Sequence, residues 1–581
     1  MTGTQRVTEW MPGLGLLSSY QPRWLPKDLI AGLVLSTLLV PQGMAYAELA
    51  GLPPITGLYT TVLCLLGYAV FGPSRVLVLG PDSSLGPMIA AVVVPIAGSG
   101  GDPAVAIGLA SMLGLMVGVM MTVAGIARLG FIADLLSKPT QIGYMNGLAL
   151  TILVSQLPKL SGFSVDGDGL IAEAAGFFRG LAAGEAVTAA VAVGVVTLAL
   201  ILVLQRWLPK VPAVLVGVVI SIAATVLFDL GDRGVDLVGP LPQGFPPFTL
   251  PRASWDQLGL LVVAAFAITL VSLTDTISTA SSFAARAGRR VNGNQEMIGI
   301  GAANIAASMF QGFPVSTSGS RTAVAAQSGA RTQLTGVVGA AVILLMLLLA
   351  PGLLKDLPQP ALAAVVIAAS LSLADIPGTV QLWQRRRTEF VVSITAFLGV
   401  ALLGVLPGIA VAVALSVLNV FRRVWWPYQA VLGRAAGVPG YHDLRAYPEA
   451  ERLPGLVLFR FDAPLIFANA RVFQEQVRAL AAAEPPPRWI VVAAEPITDV
   501  DTTAADVLEE LDNDLNARGI SLVFAEMKSP VRAKIDRYRL TRTIDPEHFF
   551  PTVEDAVAAY QAQIGAQWRA GAPTDRVIRP G

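Results

Sequence analysis

The residues able to do chemistry in this chain concentrate in two short segments, each broken by proline and glycine within very apolar sequence. Hydroxyl groups such as those of Ser318 and Ser320 can donate hydrogen bonds to an oxyanion, and Arg321 adds a positive charge that burial does not remove. A helix that starts in such a segment adds unpaired backbone N–H groups and the positive end of its dipole. Two such ends facing each other predict a cradle for a small anion. The segments are Val78-Leu79-Gly80-Pro81-Asp82-Ser83-Ser84 and Phe313-Pro314-Val315-Ser316-Thr317-Ser318-Gly319-Ser320-Arg321.

Two acids accompany these segments. Asp82 follows Gly80-Pro81, where a carboxylate serves equally well as a helix cap or as part of a binding site. Asp275 lies deep in an apolar stretch, and a buried acid near an arginine can change its protonation when an anion arrives. Asp275 is therefore the candidate for carrying a coupling proton, or a sodium ion. The structural alternative is an ion pair between Arg321 and Asp275 that only holds the fold together.

Other polar residues lie within or beside the apolar stretches. Gln42 follows Pro41 at mid-depth in the first apolar stretch, so its amide is expected to face the interior of a helix bundle. There it could bind a ligand or a broken helix, or join two helices by a hydrogen bond. Glu296 stands beside a basic loop, and we expect it to be exposed or paired with that loop.

Composition places most of this chain in lipid. Of 581 residues, 54% are hydrophobic and 14% are charged, well below the roughly 25% charged content of soluble domains. The net charge of zero gives no support for nucleic-acid binding. The single cysteine, Cys64, and two histidines, His442 and His548, leave no set of metal ligands in the apolar region. No cofactor or metal is expected. We find no nucleophile paired with a base in the sequence, so nothing in it indicates an enzyme.

Apolar stretches long enough to form membrane helices recur between residues 28 and 427. We predict fourteen segments, of which the third, from Asp82, and the tenth, from Ser318, are too short to cross alone. Each is the third segment in a set of seven, which predicts two repeats of seven segments, at residues 28–230 and 257–427. Because seven is odd, the second repeat enters the membrane from the opposite side, and the repeats are inverted.

Lysine and arginine gather on alternate loops, as is typical of cytoplasmic loops. With the N-terminus inside, these loops receive Arg75, Arg286, Arg290 and the run Arg385-Arg386-Arg387. The distribution predicts a bacterial inner membrane protein with residues 1–27 and the C-terminus in the cytoplasm. The arginine run fits this role in orientation, and it could also bind lipid headgroups.

After Trp425-Trp426-Pro427 the sequence becomes charged and soluble in character. Strand-like runs at 456–461, 489–493 and 521–525 alternate with helical stretches, which predicts a small α/β domain over residues 440–565 with a mostly parallel sheet. Residues 566–581 are expected to form a disordered tail.

The motifs of the membrane region resemble those of the SulP family of anion transporters, also called solute carrier family 26. The resemblance implies a fold like that of uracil permease, with a core and a gate domain, and a homodimer. Family anion sites lie between the third and tenth helix starts, and the matching positions here are Gln42, Tyr46, Asp82, Ser318, Gly319, Ser320 and Arg321. The stretches that carry the resemblance include Pro41-Gln42-Gly43-Met44-Ala45-Tyr46-Ala47, Gly51-Leu52-Pro53-Pro54-Ile55-Thr56-Gly57-Leu58-Tyr59 and Ser318-Gly319-Ser320-Arg321-Thr322-Ala323-Val324.

The C-terminal domain resembles the STAS domain shared with anti-sigma factor antagonists. Its matching stretches include Asp462-Ala463-Pro464-Leu465-Ile466-Phe467 and Asp499-Val500-Asp501-Thr502-Thr503. Thr502 stands where those antagonists carry a phosphorylated serine, which makes it a candidate for regulatory phosphorylation. Capping of the following helix is the structural alternative for Thr502.

Together these features predict a secondary transporter of a small anion of the sulfate, dicarboxylate or bicarbonate class, coupled to protons. Motion of the core against the gate, as an elevator or by rocking, would carry the site across the membrane. Three alternatives remain open at this point. They are an uncoupled anion channel or exchanger, a nucleobase and proton symporter of the same fold, and a membrane-anchored regulatory protein whose STAS domain is the working part.

Overall fold

The computed structural model describes residues 11–18, 20–98, 102–131, 136–165, 167, 169–208, 211–286, 288, 290–565 and 568–570. The chain divides into two compact units, residues 1–417 and 418–581. The first ten residues of the expected N-terminal segment and most of the expected tail, 571–581, lie outside the described residues.

The first unit is built from helices, and many of them have a proline in the first turn, where its missing N–H costs no hydrogen bond. Within the described residues, seven helices are long and apolar enough to cross a membrane, and three shorter apolar helices accompany them. The fourteen predicted segments correspond to fourteen of the helices, and α1, α7 and α15 are additional. The helices are α1 (Pro12–Ser18), α2 (Leu25–Leu49), α3 (Pro54–Phe71), α4 (Gly86–Ala97), α5 (Pro103–Ile126), α6 (Lys138–Leu160), α7 (Leu170–Ala183), α8 (Thr188–Trp207), α9 (Ala213–Leu227), α10 (Trp255–Arg286), α11 (Gly293–Ser308), α12 (Gly319–Gln327), α13 (Leu334–Leu349), α14 (Gln359–Leu373), α15 (Ile376–Arg385), α16 (Arg387–Leu403) and α17 (Val405–Trp425), whose last turns lie in the second unit.

The two broken segments pair with each other through short strands. Strand β1 (Leu79–Gly80) lies antiparallel to β2 (Ser316–Thr317), with Leu79 opposite Thr317 and Gly80 opposite Ser316. Helices α4 and α12 start beyond these strands, so both helix starts are fixed to one small sheet. The third segment was expected to be helical from Asp82, but α4 begins one turn later, because residues 82–85 form a turn.

Small residues allow the helices to pack closely in two groups, a core and a gate. In the core, a methyl group added at Gly118 of α5 would lie 2.7 Å from the carbonyl oxygen of Gly301 in α11. In the gate, a methyl group at Gly143 of α6 would collide with the carbonyl oxygen of Ser393 in α16. Such close backbone contact is how membrane helices gain packing energy without a hydrophobic driving force. The core comprises α2 to α5 and α10 to α13, and the gate is centred on α6, α8, α9, α14 and α16.

The second unit holds one sheet with helices around it. Strands β6, β7, β8 and β9 are parallel, while β3 pairs with β4, β5 and β6 in antiparallel fashion. Its strands are β3 (Gln429–Arg434), β4 (Tyr441–Asp443), β5 (Glu451–Arg452), β6 (Leu456–Phe461), β7 (Trp489–Ala493), β8 (Ser521–Ala525), β9 (Phe549–Phe550) and β10 (Arg569–Ala570). Its helices are α18 (Ala470–Ala481), α19 (Thr502–Ala517), α20 (Ser529–Arg537) and α21 (Val553–Ile564).

The sheet extends beyond both ends of the domain predicted at 440–565. Strand β3 starts at Gln429 and pairs with β6 from Gln429 opposite Phe461 to Leu432 opposite Leu458. At the other end, β10 pairs with β5, so Arg569 and Ala570 are ordered rather than part of a disordered tail. Both strands are too short or too close to the last membrane helix for their sequence pattern to stand out.

A buried acid in α19 makes a specific prediction about the stability of the second unit. The Asp512 side chain is 1% exposed, and this burial raises its pKa to about 6 although Asn516 donates a hydrogen bond that opposes the shift. A carboxyl whose pKa is raised by folding stabilises the fold fully below its unfolded pKa of 3.8, and this stabilisation is lost as the pH rises through 6. Above pH 6, ionisation of the buried Asp512 carboxyl therefore lowers the free energy of unfolding by about 3 kcal/mol.

We therefore expect Asp512→Asn to stabilise the second unit most above pH 6 and progressively less towards pH 4. Asparagine keeps an oxygen that can accept from Asn516. Amide hydrogen exchange of residues 502–517 in the full chain, corrected for intrinsic exchange rates, measures the effect. Equal gains at pH 4 and pH 8 would contradict the assignment of a neutral Asp512.

Candidate functional site

A cavity of about 1100 Å³ lies where the two broken segments meet the gate. Its core wall comes from α2, the turn before α4, α10 and the start of α12, and its gate wall includes Gln141 and Val365. All the site residues predicted in the membrane region line this one cavity, although they come from four separate parts of the chain. They are Gln42, Tyr46, Asp82, Asp275, Ser318, Gly319, Ser320 and Arg321.

Arg321 carries the one positive charge among the described residues that line the cavity, and its guanidinium group has few protein partners. Its side chain is 1% exposed, and its nearest acid is Asp82, with 3.6 Å between Arg321 Nη2 and Asp82 Oδ1. None of its Nε, Nη1 and Nη2 atoms has a hydrogen-bond partner within the described protein. Buried donors are almost always satisfied, so a guanidinium in this state is ready for an acceptor from outside the protein.

The partner of Arg321 differs from the structural alternative considered from the sequence. Asp82, rather than Asp275, lies beside the guanidinium, because the β1 and β2 pairing brings the third and tenth segments together. Asp82 also closes the turn before α4, where it accepts from the Ser84 backbone N–H at 3.1 Å and from the Ser84 hydroxyl at 2.6 Å. Asp82 therefore lines the cavity and closes the turn, but it does not cap α4, whose N-cap is Leu85.

Asp275 lines the cavity from the middle of α10. Gln141 of the gate helix α6 donates a hydrogen bond from Nε2 to Asp275 Oδ1 at 3.2 Å. This contact joins the candidate coupling acid of the core to a side chain of the gate. A change in the protonation of Asp275 would therefore alter a hydrogen bond between the core and the gate.

The start of α12 is built to present polar groups to the cavity. Ser318 is the N-cap of this helix, and its hydroxyl accepts from the Arg321 backbone N–H at 3.5 Å. The Ser318 and Ser320 hydroxyls lie 2.9 Å apart, so one can donate to the other and still contact a ligand. Gly319 and Ser320 are exposed to the cavity, and their backbone N–H groups belong to the first turn of α12, which has no helical acceptors for them.

The residues that hold the broken tenth segment in place were not identified from the sequence. Asn304, fully buried in α11, accepts from the Val315 backbone N–H at 2.9 Å and donates to the Val315 carbonyl at 3.3 Å. The Thr317 hydroxyl donates to the Thr276 hydroxyl of α10 at 3.2 Å. The available signal was an asparagine within the apolar second half of α11, since such a residue needs a partner inside the bundle.

Glu296 was expected to be exposed or paired with a loop, and this expectation is wrong. Its side chain is 1% exposed, and it accepts hydrogen bonds from the Tyr68 hydroxyl at 2.6 Å and from the Ser74 hydroxyl. Tyr68 and Ser74 lie more than 200 residues away in sequence, so local polarity around Glu296 gave no sign of its burial.

Thr502 lies in the second unit. It is the first residue of α19 and is exposed, while the N-cap is Asp501, whose carboxylate accepts from the Ala504 backbone N–H at 2.8 Å. The alternative that Thr502 caps the helix is therefore wrong, because the acid before it already fills that position.

A helical membrane unit with two broken segments around a polar cavity, followed by a small α/β unit, defines the class of solute transporters. Residues 25–396 match the model of the sulfate permease family, and residues 447–556 match the STAS domain model. The chain belongs to the sulfate permease family and is an anion transporter of the SulP type, not an enzyme.

Individual relatives agree over nearly the whole chain. A probable sulfate transporter of Mycobacterium tuberculosis is 40% identical over 564 residues, which are 97% of this chain and 100% of that protein. Probable sulfate transporter 3.3 of Arabidopsis thaliana is 31% identical over 95% of this chain and 90% of its own length. The structure of murine solute carrier 26 family member A9 in the inward-facing state superposes with a TM-score of 0.88 at 23% identity, covering 96% of this chain and 95% of that one. The predicted fold class is thereby confirmed.

Proposed function

We propose that this protein is a secondary active transporter that carries sulfate into the cell together with protons. The observation that carries the proposal is the buried Arg321 guanidinium, which borders the cavity and has no hydrogen-bond acceptor among the described residues, with Asp82 3.6 Å away as its ion-pair neighbour. The relatives named as sulfate transporters support sulfate as the substrate. A tetrahedral oxyanion suits this set of donors, because a planar guanidinium can bind two of its oxygens side by side.

The remaining predicted residues have complementary roles in this proposal. The hydroxyls of Ser318 and Ser320 and the backbone N–H groups at Gly319 and Ser320 would bind the oxygens turned away from Arg321. Gln42 and Tyr46 line the same cavity from α2 and can donate to the anion from the opposite side. Each donor lies on a helix or at a helix start, so the site is largely formed before the anion arrives.

The charge of the cavity favours coupling to protons. Its lining residues include one arginine, Arg321, and two acids, Asp82 and Asp275, so the ionised site has a net charge of −1. A sulfate dianion entering that site without compensation would meet a net repulsion in a setting of low dielectric constant. Protonation of Asp275 would remove one negative charge, and its contact with Gln141 would then change as the anion binds. Sodium binding at the same acid is the alternative means of compensation.

An elevator-like motion is consistent with the way the site is built. The small β1 and β2 sheet fixes the starts of α4 and α12 to each other, and the Ser318 backbone N–H donates to the Val78 carbonyl at 3.3 Å. Both halves of the site therefore move as one body with the core. The gate contributes Gln141 and Val365 as an opposing wall, past which the core can slide.

We place the protein in the bacterial plasma membrane, with both termini in the cytoplasm and two copies forming a homodimer. The distribution of lysine and arginine on the loops supports this orientation. The run Arg385-Arg386-Arg387 joins the end of α15 to the start of α16, and Arg387 lies over the Trp383 ring at 5.4 Å, an arrangement suited to the membrane interface and its lipids.

Regulation through Thr502 is a further part of the proposal. A phosphate on this exposed residue would lie at the N-terminus of α19, where the helix dipole favours negative charge. We expect phosphorylation at Thr502 in protein purified from cells, detected by mass spectrometry of tryptic peptides. Unmodified Thr502 under every growth condition, including sulfate starvation, would contradict this role.

A substrate panel in proteoliposomes tests the proposed function. We expect radioactive sulfate to accumulate inside when the outside is more acidic, and excess fumarate, bicarbonate and uracil to compete more weakly than sulfate. Competition by uracil alone would indicate the nucleobase symporter. Sulfate exchange without any effect of the pH gradient would indicate an uncoupled exchanger, and conductance far above carrier rates would indicate a channel.

The close approach of Arg321 to Gly80 gives a sharp prediction about the site. A methyl group added at Gly80 would lie 2.7 Å from Arg321 Nη1, so the buried guanidinium would have to move. We expect Gly80→Ala to lower sulfate uptake at least tenfold while the protein remains folded. The matched control is Gly259→Ala in α10, because no atom lies within 4 Å of the added methyl group there. Equal uptake by the two variants would show that the position of Arg321 is not critical.

A further inference from the structure

A second cavity, of about 700 Å³, lies on the other side of α12 from the transport cavity. Its walls come from the start of α2, the segment between α3 and β1, the end of α10, the start of α11 and the end of α12. Helix α12 lines the first cavity along its whole length, from Gly319 to Gln327, and contributes Ala326 to the second. The proposed transport mechanism makes no use of this second space.

Four arginines from separate parts of the chain line the second cavity: Arg75, Arg286, Arg290 and Arg331. Among its described lining residues, Glu296 is the one acid, and Glu296 accepts hydrogen bonds from Tyr68 and Ser74. With every group ionised, the lining carries a net charge of +3. Like charges that converge on one space repel each other, and although water screens the exposed Arg286, Arg290 and Arg331, an anion bound among them would relieve this repulsion.

Two of these arginines lie against aromatic rings, and the backbone of a third is anchored. Arg75 lies over the Trp24 ring at 5.8 Å, and Arg286 lies over the Phe283 ring at 5.4 Å. The Arg331 backbone N–H donates to Asp28 Oδ1 at 2.6 Å, which fixes where the side chain of Arg331 starts. Asp28 is fully buried, so this attachment is rigid. Fixed guanidinium groups lose less freedom when they bind an anion.

Orientation in the membrane accounts for basic residues on these loops, but it does not require them to meet. The positive-inside preference acts on the number of lysines and arginines near the ends of the helices. The outcome here is more specific, because residues separated by as many as 256 positions, from Arg75 to Arg331, line one cavity. A convergence of this kind is typical of sites that bind phosphate groups, which arginine binds in a side-by-side geometry.

We propose that this cavity is a binding site for a diphosphate-type oxyanion, either a soluble one or the headgroup of an anionic phospholipid. Two phosphate groups can share the guanidinium groups of Arg286, Arg290 and Arg331, and a volume of about 700 Å³ is within the range of small-molecule sites. The aromatic rings of Trp24 and Phe283 would border the less polar part of the ligand. The site is independent of the proposed function, because it does not include any residue of the transport cavity.

The test uses the purified full chain and two probes, pyrophosphate for the soluble source and cardiolipin for the lipid source. Thermal unfolding is followed in detergent with increasing pyrophosphate, and in phosphatidylcholine nanodiscs with and without cardiolipin. The variant is Arg290→Gln with Arg331→Gln, since both side chains are exposed and their loss leaves the packing intact. The matched control removes the same charge elsewhere, through Arg233→Gln with Arg252→Gln, two exposed arginines outside the cavity.

We expect one of the two probes to raise the unfolding temperature of the wild type in a saturable way. The apparent affinity is expected to fall by about tenfold for each guanidinium removed, and to stay unchanged in the control. A response to pyrophosphate would identify a soluble ligand, and a response to cardiolipin alone would identify a lipid headgroup. No response to either probe, or an equal response in the Arg290 and Arg331 double variant, would overturn the proposal.

Discussion

Replacing Arg321 with glutamine is expected to lower sulfate uptake by at least 100-fold. The change removes the one positive charge among the described residues that line the transport cavity, together with donors that have no hydrogen-bond acceptor among those residues. Each hydrogen bond to a charged group contributes about 1.5–3 kcal/mol, so the loss of two bonds to a bound oxyanion corresponds to about 100-fold or more. Initial rates of radioactive sulfate uptake into proteoliposomes measure the effect.

A loss of folding must be separated from a loss of binding in this variant. Removal of Arg321 leaves Asp82, a partly buried side chain that is 13% exposed, without its neighbouring cation, and an unpaired charge in such a place is destabilising. The double variant Asp82→Asn with Arg321→Gln removes both charges and is expected to fold but not to transport. Arg321→Lys keeps the charge without the planar fork and is expected to retain partial activity. Uptake by Arg321→Gln within tenfold of the wild type would contradict the proposed site.

Asp275→Asn is expected to abolish the effect of a pH gradient on sulfate accumulation while leaving sulfate exchange across the membrane. Asparagine keeps an oxygen for the hydrogen bond from Gln141 but cannot take up or release a proton. A gradient of one pH unit can drive about tenfold accumulation for each proton carried, because one unit is worth about 1.36 kcal/mol. The expected loss is therefore about tenfold per pH unit.

Uptake with and without an inward pH gradient, and sulfate exchange at equal pH, are the two measurements for Asp275→Asn. The matched control is Asp256→Asn, which removes an exposed acid from the first turn of the same helix, α10. We expect this control to respond to the gradient like the wild type. If Asp275→Asn also responds like the wild type at every pH, Asp275 does not carry the coupling ion.

The sequence predicted the membrane architecture well because hydrophobic length is a direct requirement of the bilayer. Proline and glycine around Gly80 and Pro314 marked the broken segments, which β1 and β2 hold together. The start of α4 was harder to predict, because Asp82 caps a turn rather than the first turn of the helix. Strand β3 was missed because it follows the last membrane helix by only a few residues.

The candidate site residues could be named from the sequence, but their pairing could not. Hydroxyls and an arginine at a helix start are local features, whereas the neighbour of Arg321 depends on how the two repeats face each other. Asp82 rather than Asp275 lies beside Arg321 for this reason. The burial of Glu296 by Tyr68 and Ser74 likewise depends on contacts between distant helices. That these residues line one cavity is a structural result, and their roles in binding and coupling stay predictions.

The most direct test of the central proposal is an experimental structure of the protein with selenate, a heavier analogue of sulfate that can be located by anomalous scattering. We predict one selenium peak in the cavity between the Asp82 turn and the start of α12, with oxygen atoms within hydrogen-bonding distance of the Arg321 guanidinium group. An ordered selenate elsewhere in the membrane unit, with this cavity empty while sulfate still competes for uptake, would contradict the proposed transport site.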